Sequence, residues 1–146
     1  MKRLLVTLTL LFSLVSMSSH ASEEKVTSVV LNSFNSSFKN AAEVEWTVGQ
    51  NFYKASFNFN GQYVNAFYRT NGEMIALTKN ISSTQLPLGL QTSLKKASKD
   101  LWITELFEVA NEEGTTYYVT LENADTKLGL KSSSTGWSSY QKQSKS

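Results

Sequence analysis

Few residues in this sequence could do chemistry. There is one histidine, His20, and no cysteine. Ser93-Leu94-Lys95-Lys96 has the Ser-x-x-Lys spacing in which a lysine can activate a serine nucleophile, but the Lys-Thr-Gly and Ser-Asp-Asn elements that accompany it are missing. Glu43/Glu45, Glu105/Glu108 and Glu112/Glu113 are close enough in sequence to supply an acid and a base. Glu43 and Glu45 flank Val44 on an alternating strand, which turns both to the face opposite Trp46, and Glu112-Glu113-Gly114 reads as a turn. No glycine-rich phosphate loop, Gly-x-Ser-x-Gly elbow or calcium loop occurs. The expectation is that there are no catalytic residues, metal ligands or cofactor.

The chain has 146 residues, 40% of them hydrophobic and 18% charged. Met1-Lys2-Arg3 is a basic start, Leu4 to Val15 is a short apolar run, and Ser19 and Ala21 occupy the positions a signal peptidase reads. Residues 1–21 are therefore expected to be a cleaved leader, because the apolar run falls below the ~20 residues that span a bilayer. Cleavage removes Lys2, Arg3 and His20, leaving 14 − 2 = 12 basic residues against 12 acidic ones. A neutral mature chain is a poor match for nucleic acid. Without His and Cys it also lacks the commonest general base, the usual transition-metal ligands and the most reactive nucleophile. The expected location is periplasmic or secreted, with an ordinary apolar core in place of disulfides.

Positioning falls to helices and strands. Val26, Val30, Phe34, Phe38 and Ala42 line one side of a helix. Strands are expected at about 44–48, 52–59, 62–70 and 73–79, with Asn60-Gly61 and Asn71-Gly72 as two-residue hairpin turns. Leu86-Pro87 opens a second helix carrying Leu90, Leu94, Ala97 and Leu101, with Lys95, Lys96 and Lys99 solvated. Strands follow at about 102–110, 115–122, 126–131 and 137–142. Shifted by 64 residues, Tyr53, Ala55 and Phe57 overlie Tyr117, Val119 and Leu121. This predicts tandem helix-plus-four-strand units, 22–82 and 83–142, with 143–146 as a frayed tail.

Phe34 and Phe38, then Ala42, Val44 and Trp46, the Phe57 to Gly61 hairpin, Asn71-Gly72 and Leu86-Pro87 together resemble the PepSY-like domains of the β-lactamase-inhibitor-like group, small exported bacterial proteins. The resemblance covers about residues 26–140. It implies an α+β protein whose two units form one antiparallel sheet with two helices packed on one face, and it implies no reaction. The inhibitor that gives the group its name carries disulfides, whereas this chain has no cysteine.

Tight hairpins fix register, so Phe57 should oppose Val64, Ala55 oppose Ala66 and Tyr53 oppose Tyr68 on the helix side. The other face then carries Phe52, Lys54, Tyr63, Phe67, Arg69 and Met74, where a solvated sheet normally turns polar. Aromatic residues, Met and Arg are enriched in protein interfaces, so these six are the expected partner-binding residues for a protein or peptide in the cell envelope or outside the cell. On that reading, truncating Phe52 or Phe67 leaves stability nearly unchanged. The matching face of the second half, Tyr118, Thr120, Glu122, Lys127 and Lys131, is more polar. A small-ligand or envelope-sensor protein and a His- and Cys-free hydrolase are the alternatives.

Overall fold

The computed structural model describes residues 20–21 and 25–145, so the expected leader lies, apart from its last two residues, outside the described residues. Among the described residues two α-helices and one antiparallel sheet make an α+β fold. The elements run β1 (His20–Ala21), α1 (Ser28–Ser37), β2 (Ala42–Val48), β3 (Phe52–Phe59), β4 (Gln62–Arg69), β5 (Met74–Asn80), α2 (Leu88–Ala97), β6 (Trp102–Asn111), β7 (Gly114–Glu122), β8 (Thr126–Ser133) and β9 (Gly136–Ser144). Hydrogen-bonded neighbours in the sheet follow chain order. The chain divides into two compact units, one up to Leu77 and one from Thr78, so the boundary falls inside β5 rather than after residue 82.

In the first unit α1 is shorter than its apolar spacing suggests. Phe38 leaves helical geometry (φ −127°, ψ 61°) while its N–H still bonds the Phe34 carbonyl. The Asn- and Ser-rich sequence favours caps over continued helix. Ala42 is therefore the exposed start of β2, and Ala41 packs on the core in its place. The core is aromatic: the Phe34 ring lies 5.0 Å from Phe57, 5.2 Å from Trp46 and 5.4 Å from Phe38.

Pairing of β3 with β4 follows the expected register, with Phe57 opposite Val64, Ala55 opposite Ala66 and Tyr53 opposite Tyr68. Asn60 and Gly61 both have positive φ, as a type I′ turn requires. The second hairpin is different. Gly72 alone is left-handed there, its N–H bonds the Arg69 carbonyl, and Arg69 N–H bonds the Glu73 carbonyl, which makes a three-residue loop in place of the two-residue turn. A bulge in β2 is a second departure: Ala42 opposes Asn58 but Glu45 opposes Ser56, with Glu43 at φ 54°. The inserted residue breaks the alternation that would have put Glu43 and Glu45 on one face.

Tyr68 is fully buried in this core, and among the described residues its hydroxyl has no hydrogen-bond partner. A buried polar group left unpaired costs about 1–3 kcal/mol, so Tyr68→Phe should raise the unfolding free energy by about 1 kcal/mol in urea titration. Burial also pushes the Tyr68 phenol up to about 12. Tyr140 in the second unit reaches about 12 as well, through burial, the Glu105 charge and Tyr118. A phenol raised in the folded state keeps its proton where the unfolded chain, with a pKa near 10, has released it. Stability should hold below pH 10 and fall as pH rises toward 12, and Tyr68→Phe should flatten that fall in alkaline unfolding titrations.

In the second unit α2 follows a 3-10 turn at Ser83–Gln85, and Pro87 stands immediately before the first helical residue. Leu86, Leu94, Leu106, Val119, Leu121 and Leu130 form the core. Trp137 Nε1 donates to the Leu90 carbonyl at 3.1 Å, holding α2 to β9. β9 runs on through Ser144, two residues into the stretch expected to fray, and its end is held by Lys145, whose ammonium lies 3.1 Å from Glu122. That hydrogen bond, with Lys127 at 3.3 Å, lowers the Glu122 carboxyl below its usual range against the opposing effect of burial.

Candidate functional site

The face of β3 and β4 away from α1 carries five of the six expected partner-binding residues. Register sets Phe52 opposite Arg69, Lys54 opposite Phe67 and Asn58 opposite Tyr63. Between the last two pairs lies a polar rung, in which the Ser56 hydroxyl bonds Asn65 Oδ1 at 2.7 Å. The strands thus bring together Phe52, Lys54, Phe67 and Arg69. They leave Tyr63 four residues along β4 from Phe67, about 13 Å at the rise of a strand.

Exposure divides the set differently from its composition. Tyr63 is 55% exposed and Met74, at the start of β5, 40%. Phe67 is only 7% exposed, although it lies outside the helix-side core. Phe67 occupies the middle of β4, which has β3 on one side and β5 on the other, with Lys54 directly opposite on β3. The Phe52 ring lies 6.4 Å from that of Phe67 and also over Gly49, where any Cβ would overlap it. Phe52 is half-buried as a result. Arg69 is exposed and pairs with Glu73 at 3.3 Å, so its guanidinium is held near the hairpin loop. On this face of β3 and β4 the exposed groups are Tyr63, the edge of Phe52 and Arg69, and Phe67 is buried.

The second unit adds to Tyr118, which the sequence placed on this face, two rings that the sequence reading missed, Phe107 and Tyr140. Phe107 and Tyr118 are cross-strand partners and stack at 5.3 Å, and Tyr140 meets Tyr118 edge-on at 5.7 Å. β9 is bulged where Gly129 opposes Gln141 and Leu130 opposes Ser139, which directs the extra residue, Tyr140, onto Gly129. A Cβ there would come within 2.7 Å of the Tyr140 ring. Gly129 inside a strand was the one readable sign, since glycine in a strand often marks a close approach. Thr120 Oγ1 donates to Glu105 Oε2 at 2.9 Å on the same face.

Residues of both sequence patterns considered for catalysis bond to groups outside their pattern. Ser93 donates to the Gly89 carbonyl one turn back in α2, at 3.0 Å. Glu108 pairs with Lys79 at 3.7 Å, while Glu105 bonds Thr120. Among the described residues no group of His, Cys, Asp and Glu could hold a metal ion, and no helix is long and apolar enough to cross a membrane.

Solved structures share this arrangement of strands and helices. A BLIP-like protein of Bacteroides fragilis matches with a TM-score of 0.68 at 17% identity, over 81% of this chain and 85% of its own. The fold is BLIP-like. A protein of Bacteroides eggerthii described as periplasmic matches at 0.72 and 14% identity, over 82% of this chain and 88% of that one. A DUF2874 family protein of Bacteroides uniformis matches at 0.71 and 14% identity, over 81% and 88%. No family model and no curated protein matches the chain. At these identities the likeness concerns the BLIP-like fold alone.

Proposed function

We propose that this chain is an exported, non-catalytic module that binds a protein or peptide in the periplasm or outside the cell, through the face of β3, β4 and β5 that carries Phe52, Lys54, Tyr63, Phe67, Arg69 and Met74. The observation that carries this reading is the exposure of Tyr63 and of the edge of Phe52 on the face of β3 and β4 away from α1, with Arg69 opposite Phe52 and Lys54 two residues along β3 from it. Large apolar side chains grouped on one surface, with cations at the rim, suit a protein interface. Modulation or inhibition of a secreted enzyme is the specific form suggested by the BLIP-like fold, and the PepSY-like resemblance belongs to the same proposal. So do the duplication of helix-plus-four-strand units and the leader of residues 1–21.

The test is capture from envelope extract with the purified chain as bait. Phe52→Ala and Tyr63→Ala should each weaken retention of one band by tenfold or more. Gly49→Ala should act in the same direction, because it removes no contact residue yet forces the Phe52 ring from its place. Equal capture by all three variants would overturn the reading. Turnover by the chain of any substrate in a hydrolase panel, abolished by Ser93→Ala, would favour a hydrolase instead.

A further inference from the structure

A groove of about 560 Å³ opens in the second unit where β5 ends beside β6. Ile81 N–H donates to the Leu106 carbonyl at 3.1 Å, and the chain then turns off through Ser82 and the 3-10 turn. Neighbouring strands are antiparallel, so β6 residues before Leu106 extend past the end of β5. The groove is the flank of β6 at Ile103 to Glu105, walled on its far side by Ser82 and Ser83, and β6 is bulged there, with Thr104 the extra residue between Ile103 opposite Leu121 and Glu105 opposite Thr120. Ile103 is 41% exposed there.

Charge in this groove has one sign. Glu105 is its single ionisable lining residue, and the other lining residues are neutral. Thr120 Oγ1 bonds Glu105 Oε2, which orients the carboxylate, and the Tyr140 phenol lies near enough to feel its charge. The nearest lysine in sequence on β5, Lys79, is engaged by Glu108, one residue out of phase with Glu105 and so turned to the other face. No ion pair to Glu105 occurs among the described residues. Phe107, two residues on, shares the face of Glu105 and borders the same groove.

We infer that this groove takes an extended peptide segment of a partner protein, added alongside β6 in place of the departed β5, with a Lys or Arg directly opposite Glu105. Strand addition provides main-chain hydrogen bonds, and side chains on alternate positions provide the choice of sequence. An opposite-charge pair directly across a strand pair is favourable. The aliphatic stem of a lysine would cover Phe107 while its ammonium reaches Glu105. The site shares no residue with the first-unit surface and does not depend on it.

The probe is acetyl-Val-Thr-Lys-Val-Thr-amide, titrated into the isotope-labelled chain and followed by amide chemical shifts. Saturable changes centred on Asn80 to Ser83 and Ile103 to Phe107 are expected. Glu105→Gln, which keeps an acceptor for Thr120, should weaken binding roughly fivefold. Raising the salt should also weaken it, and the peptide with Glu for Lys should not bind. The inference is overturned by the absence of saturable shifts, by equal binding of the Glu peptide, by an unchanged affinity in Glu105→Gln, or by shifts centred on Phe52 and Tyr63. Phe52→Ala and Tyr63→Ala should leave this titration unchanged even if they abolish capture from extract, so the two readings fail independently.

Discussion

Phe34→Ala should lower the unfolding free energy by roughly 3–5 kcal/mol, read from the shift of the urea midpoint at constant slope. Phe34 is 3% exposed and is the ring on which the first unit converges, with Phe57, Trp46, Phe38 and Tyr68 at 5.0 to 6.5 Å. Three of those pairs are edge-on, a geometry worth about 0.5–1.5 kcal/mol beyond area burial. Total stabilities of domains lie near 5–15 kcal/mol, so the loss is a large share of what holds the sheet to α1. Phe34→Leu should recover about half of it by refilling the space. A loss below about 1 kcal/mol for Phe34→Ala would mean that α1 does not pack on β2 to β4 as described.

The second large effect is at Phe67, on the opposite face. Phe67→Ala should cost roughly 3 kcal/mol, because a ring only 7% exposed leaves a cavity when truncated. Phe52→Ala removes a half-buried ring and should cost about 1 kcal/mol. Parity alone would have made both substitutions nearly neutral. If Phe67→Ala leaves the midpoint unmoved while Phe52→Ala lowers it, the order of the two rings in the surface is reversed from that described. Capture experiments therefore belong on Phe52 and Tyr63, since loss of binding in a Phe67 variant would mix docking with folding.

The strands and the first hairpin were legible because their signals are local. Asn60-Gly61 supplies two left-handed residues in succession, and that alone sets Phe57 opposite Val64 and every pair behind it. Asn71-Gly72 is the same dipeptide, yet Asn71 uses its side chain to accept from Glu73 N–H and only Gly72 turns left-handed. Nothing in the dipeptide distinguishes the two outcomes. The bulge in β2 was hidden for a similar reason, since Ala-Glu-Val-Glu alternates whether or not a residue is inserted.

Of the candidate surface, face membership could be read but depth could not. Alternation tells which side of the sheet Phe67 takes, whereas its exposure depends on what β3 and β5 place on either side. Tyr140 was missed because its direction is set by a register shift against β8, a contact no pattern in residues 136–144 records. Glu105 was noticed only as half of a carboxylate pair. Its surroundings, the Thr120 hydroxyl and the end of β5, come from strands distant in sequence.

The kink in β2 has a consequence for concentrated solutions of this protein. A regular outermost strand offers a row of amide donors and acceptors onto which another copy can zip, and the process repeats into fibres. Among the described residues β1 pairs with Trp46 and Thr47, while β2 toward its start is bent by a left-handed Glu43 and carries a second carboxylate at Glu45. Two negative side chains on a crooked rim repel a duplicate of themselves and misalign its amides. The irregularity makes this rim of the first unit a poor template for a second copy.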